Sequence, residues 1–531
     1  MNLVEVLLDQ CRRKPDASAI IETRHGHDAT TTFTGLERRS SQVAALLRRN
    51  RIKAGDPVLI FHPMSAELYA ILLGVFRLGA VAMFLDPSAG RAHIERCCEL
   101  QTPSALIASP KAHLLRLASA ALRRIRRKFV VGRWVPGASS LANAQYEPPV
   151  NDCEPCDAET PALLTFTSGS TGLPKAAIRT HGFLLAQHQV LHHRLKLAEG
   201  EVDLTTLPIF LLANLASGLT SVIPQGDLRS PGAVEPAPVL SQIERHHVTR
   251  CAASPAFFER LLASPLESRK KIALLRKIHT GGAPVFSRLL EALSSVAPDA
   301  KIEAVYGSTE AEPIAHLDAR HITAADRSAM RGGQGLLTGL PIPEIHLRVI
   351  PDQWGRAIGP FTVAEFAHMR CSTMQVGEIV VAGDHVLKGY LHRRGDEESK
   401  FQVGDEVWHR TGDAGKIDAQ DRLWLVGRCS AKIRDAHGEI YPFAVECVAM
   451  EHPGIRRAAF VAHAGQRLLA IEVNPEFDHA NLQKLRQDLL WSSVDKIRIL
   501  GRLPVDKRHN AKIDYPTLQR LLDKSPKSNP E

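Results

Sequence analysis

Residues 163–175 read Leu163-Leu164-Thr165-Phe166-Thr167-Ser168-Gly169-Ser170-Thr171-Gly172-Leu173-Pro174-Lys175. A short apolar run that breaks into two glycines, five hydroxyls and a lysine is the pattern of a buried strand ending in an anion-binding loop. Glycine lets the backbone approach a phosphate closely. Backbone N–H groups and hydroxyls donate to its oxygens, and Lys175 adds positive charge. The spacing does not fit a G-x-x-x-x-G-K-[ST] loop. A Ser/Gly linker is the bland alternative, and the preceding strand and the Pro-Lys ending argue against it. A strand that presents such a loop sits in a sheet, with the ligand at its carboxyl edge.

The flanking sequence supplies that sheet. Pro57-Val58-Leu59-Ile60-Phe61 reads as a buried strand. Ser65 then caps a helix whose Leu68, Ile71, Leu72, Val75 and Phe76 recur at helical spacing. Ala80 to Leu85, Ala105 to Ala108 and Phe129 to Val131 read as further strands. Val248 to Ser254, Lys277 to His279 and Lys301 to Val305 continue the series, each running into a Gly- or Ser-bearing turn. This rhythm predicts an α/β fold with layered sheets covered on both faces. After about residue 345 strand-turn patterns dominate, and from Gly427 the pattern is mixed α+β. The polar, Pro-containing end at 524–531 reads as a disordered tail.

Composition narrows the class. The chain has 531 residues, 44% hydrophobic and 23% charged, which excludes a disordered chain and is compatible with about three to four domain-sized units at ~150 residues each. Nine cysteines, an odd number at irregular spacing, form no disulfide framework and suit a reducing cytoplasm. The start, Met1-Asn2-Leu3-Val4-Glu5-Val6, carries no signal-peptide pattern. Leu204 to Gly226 is uncharged, but Pro208, Asn214, Gly218 and Pro224 interrupt it. It reads as a buried segment lining a pocket, not a membrane span. The net charge of +9 allows nucleic acid, acidic membrane or phosphate partners without choosing among them. The densest basic cluster is Arg123-Arg124-Ile125-Arg126-Arg127-Lys128, for which a solvated helix face is the plain reading and contact with anionic lipid or another protein the alternative. His188 and His192 have zincin spacing, but Gln189 replaces the glutamate base. Cys153-Glu154-Pro155-Cys156 is an isolated C-x-x-C.

Several more segments fall in a specific order. Ile278-His279-Thr280-Gly281-Gly282-Ala283-Pro284 is followed by Tyr306-Gly307-Ser308-Thr309-Glu310. Gly377-Glu378-Ile379 with Gly389-Tyr390 comes next, then Trp408-His409-Arg410-Thr411-Gly412-Asp413, Gly427-Arg428 and finally Lys512. Together with the first loop they resemble, over nearly the whole chain, the adenylate-forming superfamily of AMP-dependent synthetases and ligases. That superfamily includes acyl-CoA synthetases, adenylation domains of peptide synthetases and firefly luciferase. The resemblance implies a large N-terminal AMP-binding domain over 1–426 and a small mobile α+β C-terminal domain over 427–523.

It also implies roles and cofactors, ATP and Mg²⁺. A carboxylate must attack the α-phosphorus of ATP and expel pyrophosphate, and anion attacking anion needs oriented donors and positive charge. Thr167, Ser168, Ser170, Thr171 and Lys175 would hold the β- and γ-phosphates, with Gly169 and Gly172 giving the backbone room. Gly281, Gly282 and Ala283 would face adenine, and Tyr306, followed by Gly307, would stack on it. Thr309 would donate to the α-phosphate. Glu310 would hold Mg²⁺, a hard cation suited to carboxylate oxygen. Asp413 would accept from both ribose hydroxyls, and Arg428 would reach the ribose. Lys512 would stabilise transition-state charge. Ser430 would be the hinge residue, where relatives carry Asp or Lys. Core packing for Tyr306, an N-cap for Asp413 and a solvated surface for Lys512 are the structural alternatives.

Pro504-Val505-Asp506-Lys507-Arg508-His509-Asn510-Ala511-Lys512 narrows the resemblance to the olefin-pathway β-lactone synthetases. Glu310-Ala311-Glu312-Pro313, Trp408-His409-Arg410 and Ser254-Pro255-Ala256 point the same way. Those enzymes activate a β-hydroxy fatty acid, whose own hydroxyl then displaces AMP without CoA. His509 is the candidate acceptor of that hydroxyl proton. CoA, or a carrier protein, stays open as the alternative acceptor, with enzymes of the same lipid pathway as partners. Ala176 and Leu211 depart from the family, which has Gly and His there. A catalytically silent basic binding module is the non-enzyme alternative. Intact Lys175, Glu310, Asp413 and Lys512 argue against it, and scattered charge predicts only a shallow salt dependence for nucleic acid.

Overall fold

The computed structural model describes residues 1–24, 26–168, 174–505 and 513–524, with the backbone alone at 167 and 168. Two large sheets organise the N-terminal part. The first has seven strands in the order Ser139–Ser140, Arg127–Val130, Ala105–Ala108, Pro57–Phe61, Val81–Phe84, Pro161–Ser168 and Pro174–Thr180. All neighbours are parallel except the last pair. Pro57–Phe61 is buried along its whole length, as a strand covered on both faces must be. The Ser65 hydroxyl caps the next helix, Ala66–Arg77, by accepting from the Leu68 N–H at 3.2 Å.

The second sheet has 14 strands. Val202–Thr205, Arg250–Ala253, Lys277–Gly281 and Lys301–Ser308 lie side by side and parallel. At Lys301–Ser308 the sheet changes hand: Ala311–Asp318 returns antiparallel, and every pairing beyond it is antiparallel. The uncharged stretch 204–226 resolves into the end of strand Val202–Thr205, helix Pro208–Ala216 and strand Thr220–Val222. Most of its apolar residues are buried in protein, with Leu207, Ile209 and Leu212 partly so, and no helix among the described residues is long and apolar enough to cross a membrane.

A smaller α+β unit follows. Strands Ile455–His463, Gln466–Val473 and Lys496–Ile499 pack against helices Pro442–Glu451, His479–Asp488 and Tyr515–Lys524 around their own apolar cores. It meets the larger part through apolar packing, with Cys447 and Phe443 against the core beneath the larger sheet and Phe286 beside Phe443, and through polar contacts. The Ser287 hydroxyl donates to Glu451 at 2.6 Å, Arg288 to the Ile455 carbonyl at 2.6 Å, and Lys432 and Tyr441 both to Asp352 Oδ2 at 2.8 and 2.7 Å.

Candidate active site

The predicted phosphate-binding segment is a hairpin arm. Pro161–Ser168 runs antiparallel to Pro174–Thr180, with Thr167 opposite Lys175 and Ser168 opposite Pro174. Gly169, Ser170, Thr171 and Gly172 lie outside the described residues. Lys175 is well placed at the base of this loop. Its Nζ donates to Glu398 Oε2 at 2.7 Å and lies 5.8 Å from the centre of the Tyr390 ring. Gly395 must be glycine here. Its φ is +96°, and a Cβ would fall 2.5 Å from Lys175 Cε. Ala176, the departure next to Lys175, is buried opposite Phe166 and packs as an ordinary core residue.

Tyr306, Asp413 and Arg428 come together from three strands. Tyr306 lies two residues before the end of strand Lys301–Ser308, and Asp413 and Arg428 face each other across an antiparallel pair. The Tyr306 hydroxyl donates to Asp413 Oδ2 at 2.7 Å, and Arg428 Nη1 donates to Oδ1 at 2.7 Å. Burial, then the Asp413 charge, push the Tyr306 phenol far above its ordinary value, so it stays a donor. The Asp413 charge raises the Arg428 guanidinium further. Each Asp413 oxygen keeps a second lone pair, so the carboxylate can still accept from two ribose hydroxyls. Nearby, Gly281 has no room for a side chain, since a Cβ would lie 2.6 Å from the Val305 carbonyl oxygen. Gly282, at φ +80°, opens onto free space, and Ala283 follows it.

Thr309 and Glu310 follow the same strand. The Thr309 carbonyl accepts from Arg179 at 2.8 Å. Glu310 Oε1 accepts from the Tyr390 hydroxyl at 2.8 Å. Burial would raise this carboxyl, but its neighbours outweigh burial and hold it below the ordinary value. His409 is one neighbour, yet burial keeps its own imidazole near 3 and therefore neutral. The Tyr390 hydroxyl and Lys400 then supply the stabilisation.

Lys400 has no counterpart in the motif reading. It is 8% exposed, its ammonium donates to the Leu387 carbonyl, and burial lowers it to about 7. Glu312, two residues past Glu310, is pushed up to about 7 by burial, opposed by Arg179. Arg410 makes two 2.7 Å bonds to Glu378 with both side chains fully buried, which braces the strand that carries Asp413.

At the carboxyl edge, three hydroxyls end adjacent parallel strands: Thr206, Ser254 and Thr280. Each is at most 9% exposed and has no hydrogen-bond partner among the described residues. Leu211, where the family has His, is fully buried in helix Pro208–Ala216 and offers no polar group. His188 and His192 both face the Ser217 hydroxyl, at 2.9 and 3.0 Å. Ser430 is exposed, in a short helical turn directly after Arg428. His509 and Lys512 lie outside the described residues. The flanking Val505 and Ile513 form an antiparallel bridge, so the two ends of that segment are neighbours.

These groups fit ATP. Asp413 offers free acceptor positions, Gly282 offers open space, and Lys175 offers a cation at the loop base. They also fit Mg²⁺, which takes one or two carboxylates and otherwise phosphate and water oxygens. Glu310, held as an anion, is the carboxylate available. No group of three or more metal-ligating side chains occurs among the described residues, and Mg²⁺ held on phosphate requires none.

Comparison with known proteins agrees with the geometry. Residues 7–391 match the model of the AMP-binding enzyme family. The olefin β-lactone synthetase of Stenotrophomonas maltophilia is 30% identical over 96% of both chains. The feruloyl-CoA synthase of an Amycolatopsis species is 30% identical over 85% of this chain and 84% of its own. The ATP-bound MatB of Rhodopseudomonas palustris superposes with a TM-score of 0.81 at 20% identity, covering 98% of this chain and 99% of that one. Motif order, site geometry and these matches lead to one conclusion: the chain belongs to the AMP-binding enzyme family and is an ATP-using, AMP-forming ligase of the adenylate-forming superfamily.

Proposed function

We propose that this ligase activates a β-hydroxy fatty acid as its acyl-adenylate and then closes it to a β-lactone. The acid's carboxylate attacks the α-phosphorus and pyrophosphate leaves. The β-hydroxyl oxygen then attacks the acyl carbon, the acyl–phosphate bond breaks, and AMP departs. Proximity makes the ring closure feasible, because well-oriented intramolecular attack reaches effective molarities of ~10⁵–10⁸ M. The hydroxyl proton passes to a base, for which we propose His509.

The observation that carries this reading is the match to olefin β-lactone synthetase along 96% of both chains. The unpartnered Thr206, Ser254 and Thr280 hydroxyls support it. A buried hydroxyl without a partner costs about 1–3 kcal/mol, and an acid with its own hydroxyl would supply partners.

The remaining roles belong to the same proposal. Asp413 and Arg428 bind ribose, Tyr306 borders adenine, and Gly281, Gly282 and Ala283 line the adenine face. Thr167, Ser168, Ser170, Thr171 and Lys175 bind phosphates, Thr309 contacts the α-phosphate, and Glu310 holds Mg²⁺, which neutralises phosphate charge when bound. Lys512 is carried in by rotation of residues 427–523 about Ser430. Transfer to CoA is the second reading, favoured by the 30% identity to feruloyl-CoA synthase.

Incubation with ATP, Mg²⁺ and plain or β-hydroxylated fatty acids, with and without CoA, distinguishes the readings by mass spectrometry. AMP plus an acid lighter by one water, formed without CoA, is the expected result. Strict CoA dependence would refute lactone closure.

A further inference from the structure

The chain's +9 surplus is not evenly spread. Between Leu100 and Tyr146 there are eight Lys or Arg residues and no Asp or Glu. In the fold this segment forms the outer edge of the seven-stranded sheet, with helices Pro110–His113, Leu115–Ala118 and Ala120–Arg124 and strands Arg127–Val130 and Ser139–Ser140.

Large apolar side chains protrude from the same edge. Leu114 is 62% exposed, Leu117 78% and Trp134 68%. They belong to one surface. Arg116 reaches across to the Pro136 carbonyl at 3.1 Å, tying the turn of Leu117 to the loop of Trp134. Arg123 donates to the carbonyls of Arg116 and Leu117 at 3.0 and 2.8 Å, holding that turn in place. Gly137, which packs against Arg116, also borders a polar cavity of about 330 Å³ lined by Asn50, Arg126, Arg127 and Lys128. Arg124, Arg126 and Arg133 are exposed, and none of them forms an ion pair with a described carboxylate. Two acidic side chains that reach this edge are already engaged: Glu95 accepts from the N–H groups of Ala120 and Ala121, and Asp227, whose charge is felt by Lys111, pairs with Arg229 at 2.6 Å.

We infer that this edge is a docking surface for an anionic lipid bilayer. Charge complementarity sets the partner: a surface with basic groups and no acid in its own segment is drawn to anionic headgroups, at a gain that accumulates with each Lys or Arg. The protruding Leu114, Leu117 and Trp134 select a bilayer over a nucleic acid. Apolar side chains of this size enter the headgroup and acyl boundary and have no partner along a phosphate backbone. The polar cavity at Arg126–Lys128 would receive a headgroup. Strands Arg127–Val130 and Pro161–Ser168 are parallel members of one sheet, four strand spacings or roughly 19 Å apart. The Trp134 loop and the phosphate-binding arm therefore leave the same carboxyl edge, while substitutions in the patch stay clear of the nucleotide site.

The test uses the full chain and sedimentation with vesicles of phosphatidylcholine containing 30% phosphatidylglycerol, against pure phosphatidylcholine. Binding is expected to favour the anionic vesicles by at least tenfold and to vanish in 0.5 M salt. The triple substitution Arg124→Gln, Arg126→Gln and Arg133→Gln should weaken partitioning about a hundredfold. Leu117→Ser with Trp134→Ser should also weaken it, and both variants should keep the parent melting temperature and ATP binding. Equal binding to neutral and anionic vesicles, or a triple variant that binds like the parent, overturns the proposal. So does preferential binding of a single-stranded RNA that strips the protein from the vesicles.

Discussion

Two substitutions three residues apart on one strand should have opposite consequences. Asp413→Asn keeps the shape of the side chain and one carbonyl oxygen for the Tyr306 hydroxyl. It removes the charge that faces Arg428. That arginine side chain is 59% exposed, so the lost pair costs under about 1 kcal/mol of stability. Nucleotide binding suffers more. A hydrogen bond to an ionised acceptor contributes about 1.5–3 kcal/mol, so losing one ribose contact should lower kcat/KM for ATP by about 10- to 150-fold. Arg410→Met acts the other way. Arg410 and Glu378 are both 0% exposed and joined by two 2.7 Å bonds. Removing the guanidinium leaves Glu378 buried and unpaired, at a cost of about 3–5 kcal/mol. Burial already raises the Glu378 carboxyl, so protonation relieves part of that cost and the penalty should shrink at acidic pH. Acid-dependent ATP–pyrophosphate exchange and thermal unfolding, run on both variants, measure the two effects. An Asp413→Asn enzyme within twofold of the parent, or an Arg410→Met protein that melts with it, would refute the division of labour.

Thr280→Val removes a hydroxyl with no partner among the described residues, so stability should hold while activity falls for β-hydroxylated acids relative to plain ones. An unchanged ratio of the two substrates counts against a role in substrate binding. Glu398→Gln releases Lys175 from its 2.7 Å partner, and the KM for ATP should fall severalfold; a raised KM would mean that Glu398 positions the lysine. Glu446 is raised by burial from 4.5 to about 7. The unfolded chain loses this proton near 4.5 and the folded chain near 7. Its stabilisation is therefore complete below about pH 4.5 and fades as pH rises through 7. Glu446→Gln should change little at pH 4.5 and gain up to roughly 3 kcal/mol at pH 8, read by denaturant unfolding at the two pH values. Equal effects at both would sink the argument. Lys512→Ala should slow adenylation by ~10²–10³ without moving the melting temperature; an unchanged rate assigns the catalytic lysine elsewhere.

What sequence reasoning reached was local. The strand into 163–168, the Ser65 cap and the Gly281-Gly282 turn depend on neighbouring residues, so pattern and spacing expose them, whereas the strand expected to end at Val305 runs on through Tyr306-Gly307 to Ser308. The stretch 204–226 was legible as buried, and its interruptions at Pro208 and Gly218 mark where strand gives way to helix and helix to strand. Contacts across the chain were not legible. Tyr306 and Asp413 are 107 residues apart, and motif order alone does not say that one hydroxyl bonds the other carboxylate. Lys400, in Ser399-Lys400-Phe401, belongs to none of the motifs. Its burial comes from tertiary packing beneath Leu387 and Tyr390, and no periodicity signals it. The densest basic cluster, 123–128, is visible in the sequence, but its place at a sheet edge beside the exposed Leu114, Leu117 and Trp134 is a product of the fold.

The cations around the proposed nucleotide site do not wait free. Lys175 is held by Glu398, Arg428 by Asp413 and Arg410 by Glu378. Binding a polyphosphate there is an exchange of partners, and the three pairs differ in how readily they exchange. The Glu398 side chain is 38% exposed and Lys175 13%, so Glu398 can turn to water when a phosphate enters the proposed site and takes the lysine. The Asp413–Arg428 pair needs no rupture, because each carboxylate oxygen retains an acceptor position. The Arg410–Glu378 pair is sealed from water and would lose several kcal/mol on opening. Exposure separates the sealed Arg410–Glu378 pair from the other two, and free lone pairs separate those two from each other. On the proposed roles, Glu398 hands Lys175 to phosphate, Asp413 accepts ribose without releasing Arg428, and Arg410–Glu378 only holds the strand that carries Asp413.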